Sequence, residues 1–285
     1  MEVIRTVHET LAGCERARAS GGTVGLVPTM GALHEGHASL IRRARAERDH
    51  VVVSIFVNPL QFGDPADLEA YPRDEESDVA LARALGADIV FAPALEELYP
   101  GGEPMVTVDP GSLGERLEGA SRPGHFRGVA TVVAKLFHAV GRAAAYFGEK
   151  DAQQVAVIRR MVRDLSFPIE VVASPTVREP GGLALSSRNA RLTAEQRDAA
   201  GCLFFALTRV TELTRSGERE VPRLIAEMAR EIGATPQARL DYATVVDDET
   251  FEEITSLEGV RWARALVAAR FGEVRLIDNL VLPVS

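Results

Sequence analysis

The sequence predicts an α/β fold in which a parallel sheet, wound on both faces by helices, is followed by a smaller α+β domain. Three observations predict it. Short apolar runs alternate with helical periodicity from Thr23 to Val172. The run from Val51 to Val57 is continuous and rich in β-branched residues, as a strand covered on both faces requires. After Val177 the texture changes to helices followed by strands with no helix between them. Together these give a Rossmann-like, doubly wound domain at residues 1–176 and a smaller α+β domain at residues 177–285.

Thr23 to Val27 is the first expected strand, and a loop leads from it to a helix over His37 to Arg48. Val51 to Val57 is the second strand. Asp74 to Leu85 reads as a helix and Asp88 to Phe91 as a strand. Gly128 to Val140 reads as a helix, Ala144 to Phe147 as a strand, Gln153 to Leu165 as a helix and Ile169 to Val172 as a strand. Glu179-Pro180-Gly181-Gly182 is a strong turn cluster. Thr193-Ala194-Glu195-Gln196 has the form of a capping box and opens a long helix to Thr214. A second helix covers Val221 to Ile232, and strands follow over Asp241 to Val246, Arg264 to Phe271 and Val274 to Leu280.

With 285 residues, 46% hydrophobic and 26% charged, the chain can bury a core without staples. Cys14 and Cys202 are too few for a disulfide framework or a four-ligand zinc site. No basic segment leading into an apolar stretch opens the chain, and no apolar run approaches membrane-span length, so a cytoplasmic protein is expected. The 32 basic and 41 acidic residues give a formal charge of −9, the wrong sign for a surface that neutralises nucleic-acid phosphates. Neither nucleic acid nor membrane is expected as a partner. Only Lys135 and Lys150 are lysines. A chain that writes its other cations as arginine keeps a lysine where a compact ammonium on a flexible stem is needed. Lys135 lies in an apolar helical stretch and is expected to be structural.

Ligands of an open parallel sheet bind outside the carboxyl ends of its strands, so the residues after each expected strand are the candidates. They are Pro28-Thr29-Met30-Gly31-Ala32-Leu33-His34-Glu35-Gly36-His37, then Asn58-Pro59-Leu60-Gln61-Phe62, Gly148-Glu149-Lys150-Asp151 and Ser174-Pro175-Thr176-Val177. His34-Glu35-Gly36-His37 is open to several readings. A zinc-protease pattern needs its histidines four apart. Gly31-x4-Gly36 has P-loop spacing, but His37 and Ala38 stand where Lys and Ser or Thr are required. A metal pair at His34 and His37 lacks a third ligand, and ordinary loop histidines are the plain alternative. Phosphate binding is the remaining reading. Gly31 and Gly36 admit close backbone approach, the helix after them offers N–H groups, and two imidazoles can donate to oxygens as charge builds on them.

The stretch from Pro28 to His37 resembles the HIGH-type signature of the nucleotidylyltransferase superfamily. Taken with Ser54-Ile55-Phe56-Val57-Asn58-Pro59-Leu60-Gln61-Phe62, Phe147-Gly148-Glu149-Lys150-Asp151-Ala152-Gln153-Gln154 and Leu185-Ser186-Ser187-Arg188-Asn189, it makes the chain similar to the pantoate–β-alanine ligase family. The similarity runs from the first strand to the final Leu276-Ile277-Asp278-Asn279. It implies ATP as co-substrate, Mg2+ accompanying it, pantoate and β-alanine as substrates, and a homodimer. It also implies two half-reactions at one site: pantoate's carboxylate attacks the α-phosphorus of ATP, and the amine of β-alanine then attacks the resulting pantoyl adenylate.

Carried over residue by residue, the resemblance implies that Met30, Gly31, Ala32, Leu33, His34, Glu35, Gly36 and His37 cover the ATP. His34 and His37 lie at the phosphates, His37 at the position assigned as proton donor. Gln61 and Gln154 correspond to pantoate-binding glutamines, whose amides offer both donor and acceptor. Gln61 also meets β-alanine, and Asn58 and Tyr71 line this pocket. A solvated helix residue is the plain alternative for Gln154 and the expectation for Gln153. Gly148, Glu149, Lys150 and Asp151 contact the nucleotide, Asp151 at the ribose hydroxyls and Lys150 at the phosphates. Leu185, Ser186, Ser187 and Arg188 occupy the place of the superfamily's flexible KMSKS-like loop, with Arg188 carrying the charge, on a domain expected to cover the active site. Val177 supplies backbone contacts to adenine. No Mg2+ ligand is assigned; Asp78 is the one candidate, and Ser77, where some relatives carry a second acid, speaks against it. Glu118 and Arg122 match a family segment without an assigned role, and His125 is expected to be a packed loop histidine.

Three other readings compete. An adenylyltransferase with a phosphate-bearing acceptor would want more cations than Asn58, Gln61 and Gln154 provide, and a tRNA synthetase fragment would want a tRNA-binding appendage and a different charge. A non-catalytic nucleotide-binding protein would predict drift in the four motifs, and all four are intact.

Overall fold

The computed structural model describes residues 1–63 and 65–284. In chain order the elements begin β1 (Glu2–Ile4), α1 (Val7–Ala19), β2 (Val24–Thr29), α2 (Glu35–Glu47), β3 (His50–Ile55), α3 (Pro65–Glu69), α4 (Glu75–Ala84), β4 (Ile89–Phe91) and α5 (Leu95–Leu98). They continue with α6 (Glu118–Ser121), α7 (His125–Val140), β5 (Ala143–Gly148), α8 (Ala152–Asp164) and β6 (Ile169–Ser174). Last come α9 (Ala194–Ala199), α10 (Cys202–Arg215), α11 (Val221–Gly233), β7 (Ala238–Asp247), β8 (Ala263–Phe271) and β9 (Val274–Leu282). Contacts divide the chain into two compact units, Met1–Glu149 with Gln153–Pro175, and Lys150–Ala152 with the chain from Thr176 onward.

The first unit is built on a six-stranded sheet in the order β1-β4-β3-β2-β5-β6, every pairing parallel. From β2 the chain winds outward through β3 and β4, then returns to place β5 on the other side of β2. This reversal opens a crevice at the carboxyl ends of β2 and β5, where a doubly wound sheet takes its ligand. The central strands alternate between two cores. Leu26, Val52 and Ala145 join α7 and α8 on one face, while Val27, Val51, Val53 and Tyr146 pack with Ile41 of α2 and Ala82 of α4 on the other. The expected α/β class with a doubly wound sheet is therefore the observed one.

Two elements precede the first expected strand: β1 adds an edge strand beside β4, and α1 follows it, with Thr6 accepting at its N-cap. Sequence periodicity gives little warning of α1, because the positions it buries are the small residues Thr10, Gly13, Cys14 and Ala17.

The second unit holds an antiparallel sheet in the order β7-β8-β9, with α10 and α11 burying Leu203, Leu207, Leu224, Met228 and Ile232 against it. The expected long helix from Thr193 to Thr214 is two helices, broken at Gly201. Here the backbone of the turn before it comes too close for a side chain: a Cβ on Gly201 would lie 2.5 Å from the Gly181 carbonyl oxygen. The capping box at Thr193 is present, with Gln196 as its reciprocal partner.

Candidate active site

The loop between β2 and α2 is shaped before its histidines are reached. Thr29 Oγ1 donates to the Ser54 carbonyl of β3 at 2.6 Å and accepts from Gly31 N. Gly31 then turns with φ +80°, and Ala32 follows it into the left-handed region at φ 49°, a conformation that costs a non-glycine residue roughly 1 kcal/mol. What holds it there is Asp78 of α4, a buried carboxylate that accepts from Ala32 N at 2.8 Å and Leu33 N at 2.7 Å. A side chain on Gly31 would also collide with Asp78, its Cβ falling 2.7 Å from Oδ2. Asp78, considered from sequence as the one Mg2+ candidate, thus accepts one loop N–H on each of its oxygens. Among the described residues no cluster of three His, Cys, Asp or Glu side chains stands in a metal-ligating arrangement.

His34 and His37 form a reciprocal cap on α2. His34 Nδ1 accepts from Gly36 N at 3.1 Å, and His37 Nδ1 accepts from His34 N at 3.3 Å. An Nδ1 that accepts a backbone proton carries none of its own, so both rings hold their proton on Nε2. The ring centroids lie 4.2 Å apart. The loop thus presents two Nε2–H donors at the positive end of a thirteen-residue helix.

The segment after β3 forms a second, buried cluster. Asn58 caps the short turn Pro59–Gln61, its Oδ1 accepting from Leu60 N and, at 2.8 Å, from the hydroxyl of buried Tyr99. With Oδ1 engaged by donors, Asn58 Nδ2 donates to Gln61 Oε1 and to the Gly128 carbonyl, both at 3.1 Å. Gln61 is therefore oriented with Nε2 outward, donating to Met30 Sδ at 2.8 Å, a thioether and so a weak acceptor. The Gln61 backbone is held as well. Its carbonyl accepts from Arg122 Nη2 at 3.1 Å and from His125 Nδ1 at 2.8 Å. Since a guanidinium only donates, His125 Nε2 accepts from Arg122 Nη1 at 3.1 Å, which leaves the ring proton on Nδ1. Burial pushes the Tyr99 hydroxyl far above its ordinary pKa, so it stays a donor.

Met30, Asn58 and Gln61 are thus brought together, whereas Tyr71 stands against the Phe62 ring, edge-on at 5.7 Å between centroids. Half-buried Gln154 lies on α8. Its neighbour Gln153 is not the solvated residue expected from sequence. It is buried, donates to the carbonyls of Leu113 and Arg116 and accepts from Glu118 N, pinning the segment before α6. His125 belongs to the first turn of α7 rather than to a loop. Lys135 has its ammonium 5.8 Å from the centre of the Tyr99 ring, matching the structural role expected of it.

In the second unit, Lys150 sits in the turn Glu149–Asp151 with its side chain only 15% exposed and Nζ 3.4 Å from Asp151 Oδ1. Val177 and Leu185 are paired, Leu185 N donating to the Val177 carbonyl at 2.9 Å. Between them Arg178 is fixed by a two-pronged pair with buried Asp278 of β9, a bond to the Gly182 carbonyl and the Phe204 ring at 4.1 Å. Beyond Leu185 the turn Ser187–Arg191 opens with Ser186 Oγ accepting from Arg188 N, and the Arg188 side chain is exposed. Asn189 closes the loop, its amide donating to Glu179 Oε1 and the Ala184 carbonyl.

Tyr99, Asp78 in its loop-holding role, Arg122 and His125 were missed as supporting residues by sequence reading. Nothing local signals them, because each acts on a residue far away in the chain, 41 positions in the case of Tyr99 and Asn58. The signal for Asp78 is indirect: Gly31-Ala32 needs an acceptor to hold its unusual turn.

A doubly wound sheet whose first crevice loop carries a histidine-capped helix defines a nucleotide-handling α/β enzyme of the HIGH-signature kind. A model of the pantoate–β-alanine ligase family matches residues 2–281. The chain is 53% identical to the pantothenate synthetase of Rubrobacter xylanophilus over 99% of this chain and 98% of that one. It is 54% identical to that of a Roseiflexus species, over 97% and 99%. Among solved structures, the pantothenate synthetase of Thermus thermophilus superposes with a TM-score of 0.90 at 50% identity, covering 98% of this chain and 99% of that chain. The pantoate–β-alanine ligase of Francisella tularensis, complexed with β,γ-ATP and β-alanine, gives a TM-score of 0.75 at 33% identity over 99% and 97%. The chain belongs to the pantoate–β-alanine ligase family. No described helix is long and apolar enough to cross a membrane.

Proposed function

We propose that this chain condenses pantoate with β-alanine at the expense of ATP, through a bound pantoyl adenylate. A carboxylate is a poor acyl donor until one of its oxygens becomes part of a good leaving group. Pantoate's carboxylate oxygen attacks the α-phosphorus, the bond to the β-phosphate oxygen breaks and pyrophosphate departs. The amine of β-alanine then attacks the acyl carbon of the mixed anhydride, loses a proton and displaces AMP, leaving pantothenate.

The observation that carries this reading is the reciprocal cap of His34 and His37. It fixes two Nε2–H donors at a helix N-terminus, an arrangement suited to the charge that grows on the α-phosphoryl oxygens. His37 acts chiefly as such a fixed donor. Met30, Gly31, Ala32, Leu33, Glu35 and Gly36 form the rest of the cradle over ATP. Gln61 offers Nε2 to an oxygen of pantoate, which outcompetes the Met30 thioether as acceptor, and Gln154 offers its amide to the same substrate, with Asn58 and Tyr71 around them. Gly148, Glu149, Lys150 and Asp151 serve phosphates and ribose, Val177 serves adenine, and Leu185, Ser186, Ser187 and Arg188 follow the departing pyrophosphate.

Magnesium enters as the companion of ATP, held by phosphate oxygens and water, as this ion prefers. The commitment of Asp78 to backbone N–H groups accords with that. By family resemblance the chain works as a homodimer in the cytoplasm. The deciding assay is isotope exchange between pyrophosphate and ATP with and without pantoate, followed by AMP release on adding β-alanine. Exchange should require pantoate, and AMP should require both acids. Exchange supported equally by unrelated carboxylates would remove the assignment.

A further inference from the structure

We propose that Asn279, on β9, is a positioning residue for the Lys150 ammonium. The inference rests on the reading of Lys150 as a phosphate-contacting group. Lys150 lies in a single turn between β5 and α8, yet its contacts group it with the second unit. The bond that ties it there comes from buried Asn279, whose Nδ2 donates to the Lys150 carbonyl at 2.9 Å.

The orientation of this amide is set from behind. Asn279 Oδ1 accepts from Arg264 Nη1 at 2.5 Å, and a guanidinium can only donate, so Nδ2 must face Lys150. Arg264 is itself buried and held by both oxygens of Asp248. Asp248, Arg264 and Asn279 form a relay of one geometry, ending on the backbone of the lysine.

The residue before Asn279 completes the arrangement. Asp278 accepts from Asn279 N at 2.8 Å and grips Arg178, which fixes the hairpin from Val177 to Leu185. Adjacent residues of one strand thereby mount two of the segments that the proposed function assigns to the triphosphate, Lys150 through Asn279 and the Ser186–Arg188 loop through Asp278. A shift of even an ångström in such a group is costly in a transition state that depends on fixed charges.

The test is a double-mutant cycle on pantoate-dependent pyrophosphate exchange. Asn279→Ala should slow exchange by about tenfold or more, with the KM for pantoate unchanged. In a Lys150→Ala background the same substitution should cost nothing further, since its effect passes through that side chain. Asn279→Asp keeps the shape and the Arg264 contact while removing the donor, and should reproduce the alanine phenotype; it decides the matter if Asn279→Ala no longer unfolds cooperatively. Equal losses in both backgrounds, or full activity in Asn279→Asp, would overturn the proposal. Full exchange activity in Lys150→Ala alone would instead strike the underlying reading of that lysine.

Discussion

The loop after β2 and the loop after Leu185 are both assigned to phosphates in the proposed function, yet they are built on opposite principles. In the first, successive backbone N–H groups are held from Gly31 through Leu33 by Thr29 and Asp78, and the two histidines cap each other's turn. In the second, the ends are held and the tip is open. Arg178 and Asn189 are tied to buried partners, while Arg188 between them is exposed. A donor required at one point throughout the reaction is best fixed in advance, since its cost of ordering is then met during folding. A group that accompanies a departing product needs anchored ends and a mobile tip.

The largest effect expected from this contrast is at His37. His37→Ala removes one fixed Nε2–H and should slow adenylate formation by about 100-fold or more, while ATP affinity by equilibrium titration changes far less. Equal losses in rate and affinity would mean that His37 binds ground state and transition state alike, and the distinction between the loops would lose its basis.

Asp78 separates the two loops by stability. Asp78→Ala strips the acceptor from the N–H groups of Ala32 and Leu33 and releases the left-handed turn. It should destabilise the fold by about 2 kcal/mol and slow exchange as well. Arg188→Ala should slow exchange with a stability change within about 0.5 kcal/mol, as for other exposed side chains. Urea unfolding of both variants makes the measurement; a large stability loss in the Arg188 variant would show that its loop tip is also structural.

The same contrast explains what could be read in the sequence. The α/β class, the sheet's inner strands and the histidine-bearing loop were legible because each is written locally, in apolar runs, turn residues and a compact motif. The supports were not. Asp78 reaches back 46 positions to Ala32, and Arg178 reaches forward 100 positions to Asp278, distances no periodicity encodes. Gln153 misleads for a related reason: glutamine in a helix, beside the Gln154 proposed to meet substrate, reads as solvated until a segment some 35 to 40 residues upstream folds over it. The break at Gly201 likewise depends on a contact with Gly181.

Tyr99 offers a finer probe of the fixed cluster. Tyr99→Phe removes the hydroxyl that holds Asn58 Oδ1, loosening the orientation of Gln61 while leaving the Asp78 contacts and the histidine cap of the loop after β2 in place. Loss of one such bond amounts to about 1 kcal/mol, so the KM for pantoate should rise about fivefold while that for ATP stays put. An equal rise in both would place the effect in the sheet as a whole.

The smallest effect concerns the anchored end of the open loop. Glu179 receives Arg197 on both oxygens and the Asn189 amide on one, and these contacts, Arg197 foremost, hold its carboxyl below the ordinary carboxylate range. A carboxyl whose folded pKa is depressed contributes its stability in full above the unfolded value, about 4.3, and loses it as pH falls through the folded one. Glu179→Gln removes the charge at every pH. Wild type should therefore be the more stable protein at neutral pH, and the gap between the two in urea unfolding should close as pH falls below about 4. A gap that widened in acid would mean that Glu179 is held in its protonated form, and the loop's downstream anchor would then be Asn189 with the Ala184 carbonyl alone.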